Sequence, residues 1–388
     1  MTMSYGVLST YPPTQCGLAT FSRALVSALE SPSDLIGVVR VADSEELVNR
    51  PRNGPATTQG QPSDATWVRG DARGPRKAAT ALNAFDVAVL QHEYGIFPGV
   101  DGEDVLDVVR RLRVPLVTVL HTVLVTPSPN QRRILEALVD ASSAVITMTR
   151  TAHDRLLAHY AVDPARVTVI PHGAAVPPPR LHRRPRRPDQ SPRILTWGLL
   201  GEGKGIEWAI DAMAQLADLS PRPQYLVVGQ THPKVRAQHG EAYRLRLMAR
   251  AATGGSGSVH FDDRYLTTTQ LHTLVQDADV ILLPYDSREQ VTSGVLIEAV
   301  TAGKPVVSTA FPHAVELLSS GAGLLVERQD PTAIAGALRR LFTEPGLEAA
   351  MRAEAERIAP ELLWPAVADR YRAVAAQILP RRSVLATA

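Results

Sequence analysis

Short apolar runs alternate with segments of helical period along almost the whole chain, and this alternation restricts the fold more than any other feature. In the first half, the runs at 5–9, 35–40, 86–90, 115–120, 144–147 and 167–170 read as strands. Between them, apolar residues recur at helical spacing in 18–29, 103–111, 130–139 and 150–159. Strands that are apolar throughout are buried on both faces, the condition of parallel strands covered by crossover helices. The pattern predicts an α/β fold with a doubly wound parallel sheet.

The alternation breaks twice. The stretch 50–64 is rich in Pro, Gly, Thr and Gln and reads as a surface loop without evident chemistry. The stretch 176–192, VPPPRLHRRPRRPDQSP, holds too much proline for a helix interior or a central strand. It reads as an interdomain connector. Its arginines suit acidic lipid headgroups, which leaves peripheral membrane contact open. A stiff solvated spacer is the plainer reading. Beyond it the alternation restarts, with strands predicted at 193–197, 224–228, 258–261, 280–283, 305–308 and 323–326 and a last amphipathic helix at 362–378. Asp330-Pro331 has the form of a helix start, a capping carboxylate followed by proline in the first helical position. The predicted plan is an N-terminal domain at 1–176, a connector at 177–192, a second α/β domain at 193–360 and a closing helical segment at 361–388. A chain of 388 residues has room for two such domains.

Composition narrows the function classes. A formal net charge of +2 with a pI near 8.7 is too mild to make nucleic acid the main partner. The single cysteine, Cys16, excludes an intrachain disulfide and a cysteine metal cluster. The first residues, MTMSYGVLST, lack the basic and apolar regions of a secretory signal. No uncharged apolar run reaches the ~18 residues of a membrane helix, so a cytoplasmic protein is expected.

Chemistry concentrates in five segments, four of them directly after predicted strands, where open parallel sheets collect ligands. In 290–307, QVTSGVLIEAVTAGKPVV, a strand leads through Thr292, Ser293 and Gly294 into a helix. The unpartnered N–H groups of Ser293, Gly294 and Val295 would suit an anion. Glu298, one turn further in, suits hydroxyl groups such as those of a ribose. In 197–205, WGLLGEGKG, Gly201, Gly203 and Gly205 surround Lys204, a combination suited to a diphosphate but lacking the P-loop spacing. Gly17, in STYPPTQCGLATF, permits close backbone approach at a helix start, without a dinucleotide fingerprint. In QHEYGIFPG, His92, Glu93 and Tyr94 crowd a strand end, as substrate ligands or as a satisfied structural pair. His121, in VTVLHTVLVTP, stands at a strand mouth, where an imidazole can donate to a substrate hydroxyl or shield charge. Asp277-Ala278-Asp279 spells a metal-binding D-x-D but precedes its strand, at the wrong end of the sheet, and reads as a turn.

Together these segments resemble a family 4 glycosyltransferase, most strongly between Ile194 and Asp330. The loop at Gly17 resembles that family's N-terminal glycine loop, and His121 its histidine beside the donor sugar. Lys204 resembles its diphosphate-binding lysine. Gln290 to Glu298 resembles its E-x7-E motif, and Ile170-Pro171-His172-Gly173 its I-P-N-G turn. The last helix resembles one that crosses back onto the N-terminal domain. The resemblance implies a GT-B fold, two Rossmann-like doubly wound domains facing across a cleft. It also implies retaining transfer from a nucleotide-diphosphate sugar, of GDP-mannose or UDP-glucose type, to a glycan, lipid-linked or small-molecule acceptor. Neither a cofactor nor a catalytic metal is implied. His121, Lys204 and Gln290 would be catalytic. Gly17, Gly203, Ser293, Gly294, Val295 and Glu298 would bind the donor, and His92 and Glu93 would meet substrate. Three positions depart from the pattern: Gln290 replaces the first glutamate, Leu199 the arginine five places before the lysine, and Cys16 the first glycine of the loop. A non-catalytic nucleotide-sugar-binding protein, or another GT-B enzyme such as a phosphorylase or an epimerase, would share most of these features.

Overall fold

A computed structural model describes residues 3–31, 34–43, 65–177, 189–254 and 257–379. The predicted loop at 50–64 and most of the proline-arginine connector lie outside them. The chain forms two compact units, Met1–Gly173 with Trp364–Ala388, and Ala174–Leu363.

The first unit runs β1 (Ser4–Thr10), α1 (Gly17–Leu29), β2 (Leu35–Ala42), β3 (Ala65–Val68), α2 (Gly74–Leu82), β4 (Val87–His92), α3 (Val105–Val109), β5 (Leu116–Leu120), α4 (Pro129–Ala141), β6 (Ala144–Thr147), α5 (Arg150–His159) and β7 (Val167–Val169). The strands form one parallel sheet in the order β3-β2-β1-β4-β5-β6-β7. The order reverses between β1 and β4, whose register pairs Leu8 with Leu90. Such a reversal opens a crevice at the carboxyl ends of the two strands.

The second unit runs β8 (Arg193–Trp197), α6 (Ile206–Ala214), β9 (Gln224–Val228), α7 (Pro233–His239), α8 (Ala242–Thr253), β10 (Val259–Asp262), α9 (Thr268–Asp277), β11 (Val280–Leu283), α10 (Gly294–Thr301), β12 (Val306–Thr309), α11 (Pro312–Leu318), β13 (Gly323–Val326), α12 (Pro331–Thr343) and α13 (Leu347–Ile358). Its sheet is parallel in the order β10-β9-β8-β11-β12-β13, with the reversal between β8 and β11. The predicted parallel, doubly wound architecture is present in both units.

The final helix, α14 (Trp364–Ile378), belongs to the first unit. It buries Trp364, Val367, Tyr371 and Val374 in the same core as Phe21, Leu25 and Leu29 of α1. Arg372 fixes the contact by donating to the carbonyl of Ala28 at 3.0 Å, near the C-terminus of α1 where carbonyls lack helical partners.

Most predicted strands agree with the structure to within two residues. β4 extends past Leu90 to take in Gln91 and His92, so both lie inside the sheet, buried, rather than in the following loop. The helix predicted at 103–111 shrinks to five residues behind a 3-10 turn at Val100–Gly102. Asp330 caps α12 by accepting from the Ala333 N–H at 2.9 Å. Asp279 accepts from the Arg193 N–H at 2.8 Å, which ties the start of β11 to the start of β8. The D-x-D is thus the end of α9 leading into β11 rather than a separate turn, at the edge opposite the loops that follow the strands.

Candidate active site

The candidate residues gather into two groups, one at the carboxyl edge of each sheet.

In the second unit, the loop after β8 lies directly on the loop after β11. Gly205, at φ +63°, approaches so closely that a Cβ there would stand 1.7 Å from the Pro284 carbonyl oxygen. Only glycine meets both demands. The Asp286 N–H donates to the Gly203 carbonyl at 3.0 Å. The Trp208 indole donates to the Asp286 carboxylate at 3.2 Å. Between these bonds Lys204 lays its ammonium over the Tyr285 ring, 4.3 Å from the ring centre. Among the described residues no carboxylate forms an ion pair with Lys204. The aromatic face is a soft partner for a cation, and it leaves the ammonium available to an anion.

Ser293 caps α10, its hydroxyl accepting from the Leu296 N–H at 3.3 Å. Its own N–H is not free for an anion, because it donates to Nδ1 of the buried His313 at 2.8 Å. This corrects the sequence reading. The N–H groups of Gly294 and Val295, and the Ser293 hydroxyl proton, are what the helix start offers. Phe311, beside His313, stacks on Tyr285 at 5.4 Å between centres, so the two loops share one aromatic wall. Gln290 turns back into its own loop, donating to the Thr292 carbonyl at 3.0 Å. Tyr285 Oη, Asp286 Oδ1 and Thr292 Oγ1 are buried without a hydrogen-bond partner among the described residues. Buried polar groups are nearly always satisfied, by protein, water or ligand. Three orphans around one loop mark a place where something polar belongs.

Burial pushes the Glu298 carboxyl up to about 7, and the Trp197 side chain at the end of β8 opposes the shift. Glu298 also lines a cavity of about 30 Å3 with His272, Thr301 and Ala302, room for a water but not for a sugar.

In the first unit, α1 begins at Gly17, and Cys16 caps it by accepting from the Ala19 N–H at 3.3 Å. Phe21, one turn in, meets the ring of His121 edge-on at 4.8 Å and that of His172 at 4.9 Å. Trp364 packs on the same phenylalanine at 5.2 Å. His121 Nε2 lies 2.8 Å from Gln91 Oε1. An amide oxygen can only accept, so the imidazole proton sits on Nε2 and Nδ1 keeps its lone pair. His121 would therefore accept from a hydroxyl, the reverse of the donor role considered from sequence. Burial, with His172 and His92 nearby, holds it neutral far into the acid range. Burial likewise lowers His92 and His172 to about 4. His92 is packed edge-on to Tyr94 at 4.9 Å, behind the surface rather than on it. Glu93 accepts from the Tyr94 N–H at 3.0 Å and from the Thr122 hydroxyl, holding the loop together.

Sequence reasoning missed Gln91, Phe21, Tyr285, Asp286 and His313. Phe21 and Tyr285 are indistinguishable from core residues in a linear pattern. His313 sits twenty positions from the serine it serves, so only the fold reveals the pair.

Two parallel doubly wound units of this kind, each with its chemistry on the carboxyl edge, make up the GT-B architecture. Residues 17–176 match the sequence model described as Glycosyltransferase Family 4, and residues 191–344 match that of Glycosyl transferases group 1. Curated relatives include D-inositol 3-phosphate glycosyltransferases. That of Acidothermus cellulolyticus is 29% identical over 79% of this chain and 74% of its own length. That of Jonesia denitrificans is 29% identical over 68% of this chain and 66% of its own length. Among solved structures, sucrose-phosphate synthase from Thermosynechococcus elongatus superposes with a TM-score of 0.74 at 20% identity, over 97% of this chain and 99% of that one. HepE from Anabaena, in complex with UDP and glucose, gives 0.72 at 17% identity, over 97% of this chain and 100% of that one. Residues 17–176 thus carry a family 4 glycosyltransferase domain and residues 191–344 a group 1 domain, and the chain is a glycosyltransferase. No helix among the described residues is long and apolar enough to cross a membrane.

Proposed function

We propose that this enzyme is a retaining transferase that takes a hexosyl group from a nucleotide-diphosphate sugar, of the UDP-glucose or GDP-mannose type. The diphosphate lies on the second unit. The observation that carries the reading is the Lys204 ammonium, without a carboxylate partner among the described residues and held on Tyr285 at the strand-order reversal. The N–H groups of Gly294 and Val295, without partners among the described residues, begin the helix that follows the same β11 loop. As the bond between the anomeric carbon and the diphosphate oxygen breaks, negative charge grows on the leaving group against these fixed positive groups. The acceptor hydroxyl attacks from the face the diphosphate leaves and passes its proton to a donor phosphate oxygen. No protein base is required, and none is assigned. The reading needs neither a resident metal nor another cofactor. Glu298 accepts from the ribose. Gln290 and the neutral His121 position the sugar, and Gly17 lets the chain approach the substrate closely. Relatives named for transfer to D-inositol 3-phosphate make a phosphorylated polyol the first acceptor to try, with glycan and lipid-linked acceptors next.

A thermal-shift screen with nucleotide sugars identifies the donor, since a ligand that binds only the folded state raises its melting point. With that donor, Lys204→Ala should lower turnover by about a hundredfold or more while leaving the melting temperature unchanged. Wild-type turnover in that variant would overturn the assignment.

A further inference from the structure

We propose that Arg328 is the second cation of the donor-phosphate site, an inference that rests on the reading of Lys204 given above. Arg328 stands in the short turn between β13 and α12. Because the sheet is parallel throughout, that turn lies on the same edge as the loops after β8 and β11. The neighbouring Gln329 takes a left-handed φ of 58°, and Asp330 caps the following helix, so the turn has a defined shape. Arg328 reaches across to the β11 loop and donates from Nη1 to the Asp286 carbonyl at 3.3 Å. Asp286 is also the residue whose N–H holds Gly203, and Tyr285 before it carries the Lys204 ammonium. Two cations from distant parts of the sequence thus converge on two consecutive residues.

Neither cation forms an ion pair among the described residues. This sets Arg328 apart from Arg250, Arg264, Arg339, Arg352 and Arg357 of the same unit, all of which are matched to carboxylates. Half-burying a guanidinium on a single carbonyl costs solvation that the carbonyl does not return. Placing it on the loop that already carries an ammonium adds like-charge repulsion. Both costs vanish when a multiply charged anion enters. A diphosphate carries more charge than one lysine offsets, and the planar guanidinium matches phosphate oxygens in pairs where an ammonium acts as a point. Arg328 would bind the diphosphate by two N–H groups and gain strength as the leaving oxygen becomes charged.

The test is calorimetric, on the full chain, with UDP, GDP, uridine and guanosine as probes and Arg328→Gln and Arg328→Lys as variants. For whichever diphosphate the wild type binds, Arg328→Gln should weaken affinity roughly tenfold or more. It should leave the matching nucleoside unaffected and flatten the salt dependence of diphosphate binding. Arg328→Lys should recover part of the loss and serves as the charged variant should the glutamine fold poorly. Arg328→Gln binding the diphosphate as the wild type does would overturn this inference and leave the reading of Lys204 standing. Equal losses for nucleoside and diphosphate would also overturn it. A wild type that binds neither UDP nor GDP would overturn both.

Discussion

Replacing Gly205 by alanine tests whether the two loops form one rigid platform. At φ +63° a side chain costs about 1–2 kcal/mol of backbone strain. The added Cβ would also meet the Pro284 carbonyl at 1.7 Å, about half an ordinary contact distance, and backbone cannot swing aside as a side chain can. The loops must separate. Separation stretches the bond from the Asp286 N–H to the Gly203 carbonyl and the one from Trp208 to the Asp286 carboxylate. Each is worth about 1 kcal/mol. The total loss is roughly 3–4 kcal/mol, a fall of about 10 °C in melting temperature for a unit of this size. Gly203→Ala is the control. Its φ is +86°, but nothing lies within 4 Å of the added atom, so it bears the strain alone and should fall by only a few degrees. Scanning calorimetry of the pair separates the two effects. Equal losses in both variants, or a Gly205→Ala protein melting within about 2 °C of wild type, would refute the coupling of the loops.

Gly17 is the opposite case, because it is exposed, has an ordinary φ and has nothing within 4 Å of an added Cβ. Gly17→Ala should therefore leave stability unchanged or slightly raised and raise KM for a substrate. An unchanged KM would remove Gly17 from the site. Gln91→Leu releases the His121 tautomer and should lower kcat by about tenfold with little change in melting temperature, measured at neutral pH; full activity would show that the tautomer does not matter. The two units should respond to acid in opposite directions. His92 and His172 titrate at about 4 in the fold and His121 well below its ordinary 6.5, so the unfolded chain takes up protons first as pH falls. Stability present above 6.5 is lost on the way to 4, by up to about 1.4 kcal/mol per pH unit for each histidine. Glu298 is raised from 4.5 to about 7, so its contribution is whole below 4.5 and lost as pH rises through 7. Hydrogen exchange between pH 8 and 5 should show protection falling in β4 and β5 and holding in β11 and α10. A parallel fall in both would contradict these burial effects.

Much of this protein is legible in its sequence, and what is not has a physical reason. Strands buried on both faces are continuous apolar runs, so β6, β8 and β11 begin and end where the residues say. β3 is four residues following a polar, proline-rich stretch, too short to leave a period. The residues around Gly17, Lys204 and Ser293 show because glycine, charge and small polar groups after a strand have few other uses. The residues that support them do not. Gln91 is polar but sits inside a strand, and its role appears only once β5 brings His121 beside it. Arg328 looks like any surface arginine until β13 takes its place in the sheet.

The charge states of the two edges fit the reaction proposed for them. Breaking a glycosidic bond to a diphosphate leaves positive charge on the sugar ring and negative charge on the leaving group. The second unit offers that leaving group an ammonium and open helical N–H groups. The first unit presents imidazoles that burial keeps neutral, and His121 keeps a lone pair rather than a proton on Nδ1. A protonated imidazole beside a developing oxocarbenium ion would raise the barrier by like-charge repulsion, an effect that grows where water is excluded. On the proposed reading, the burial that makes the first unit acid-sensitive is also what keeps its histidine harmless to the transition state. A His121 stabilised as a cation, for instance by Gln91→Glu, should then turn the donor over more slowly.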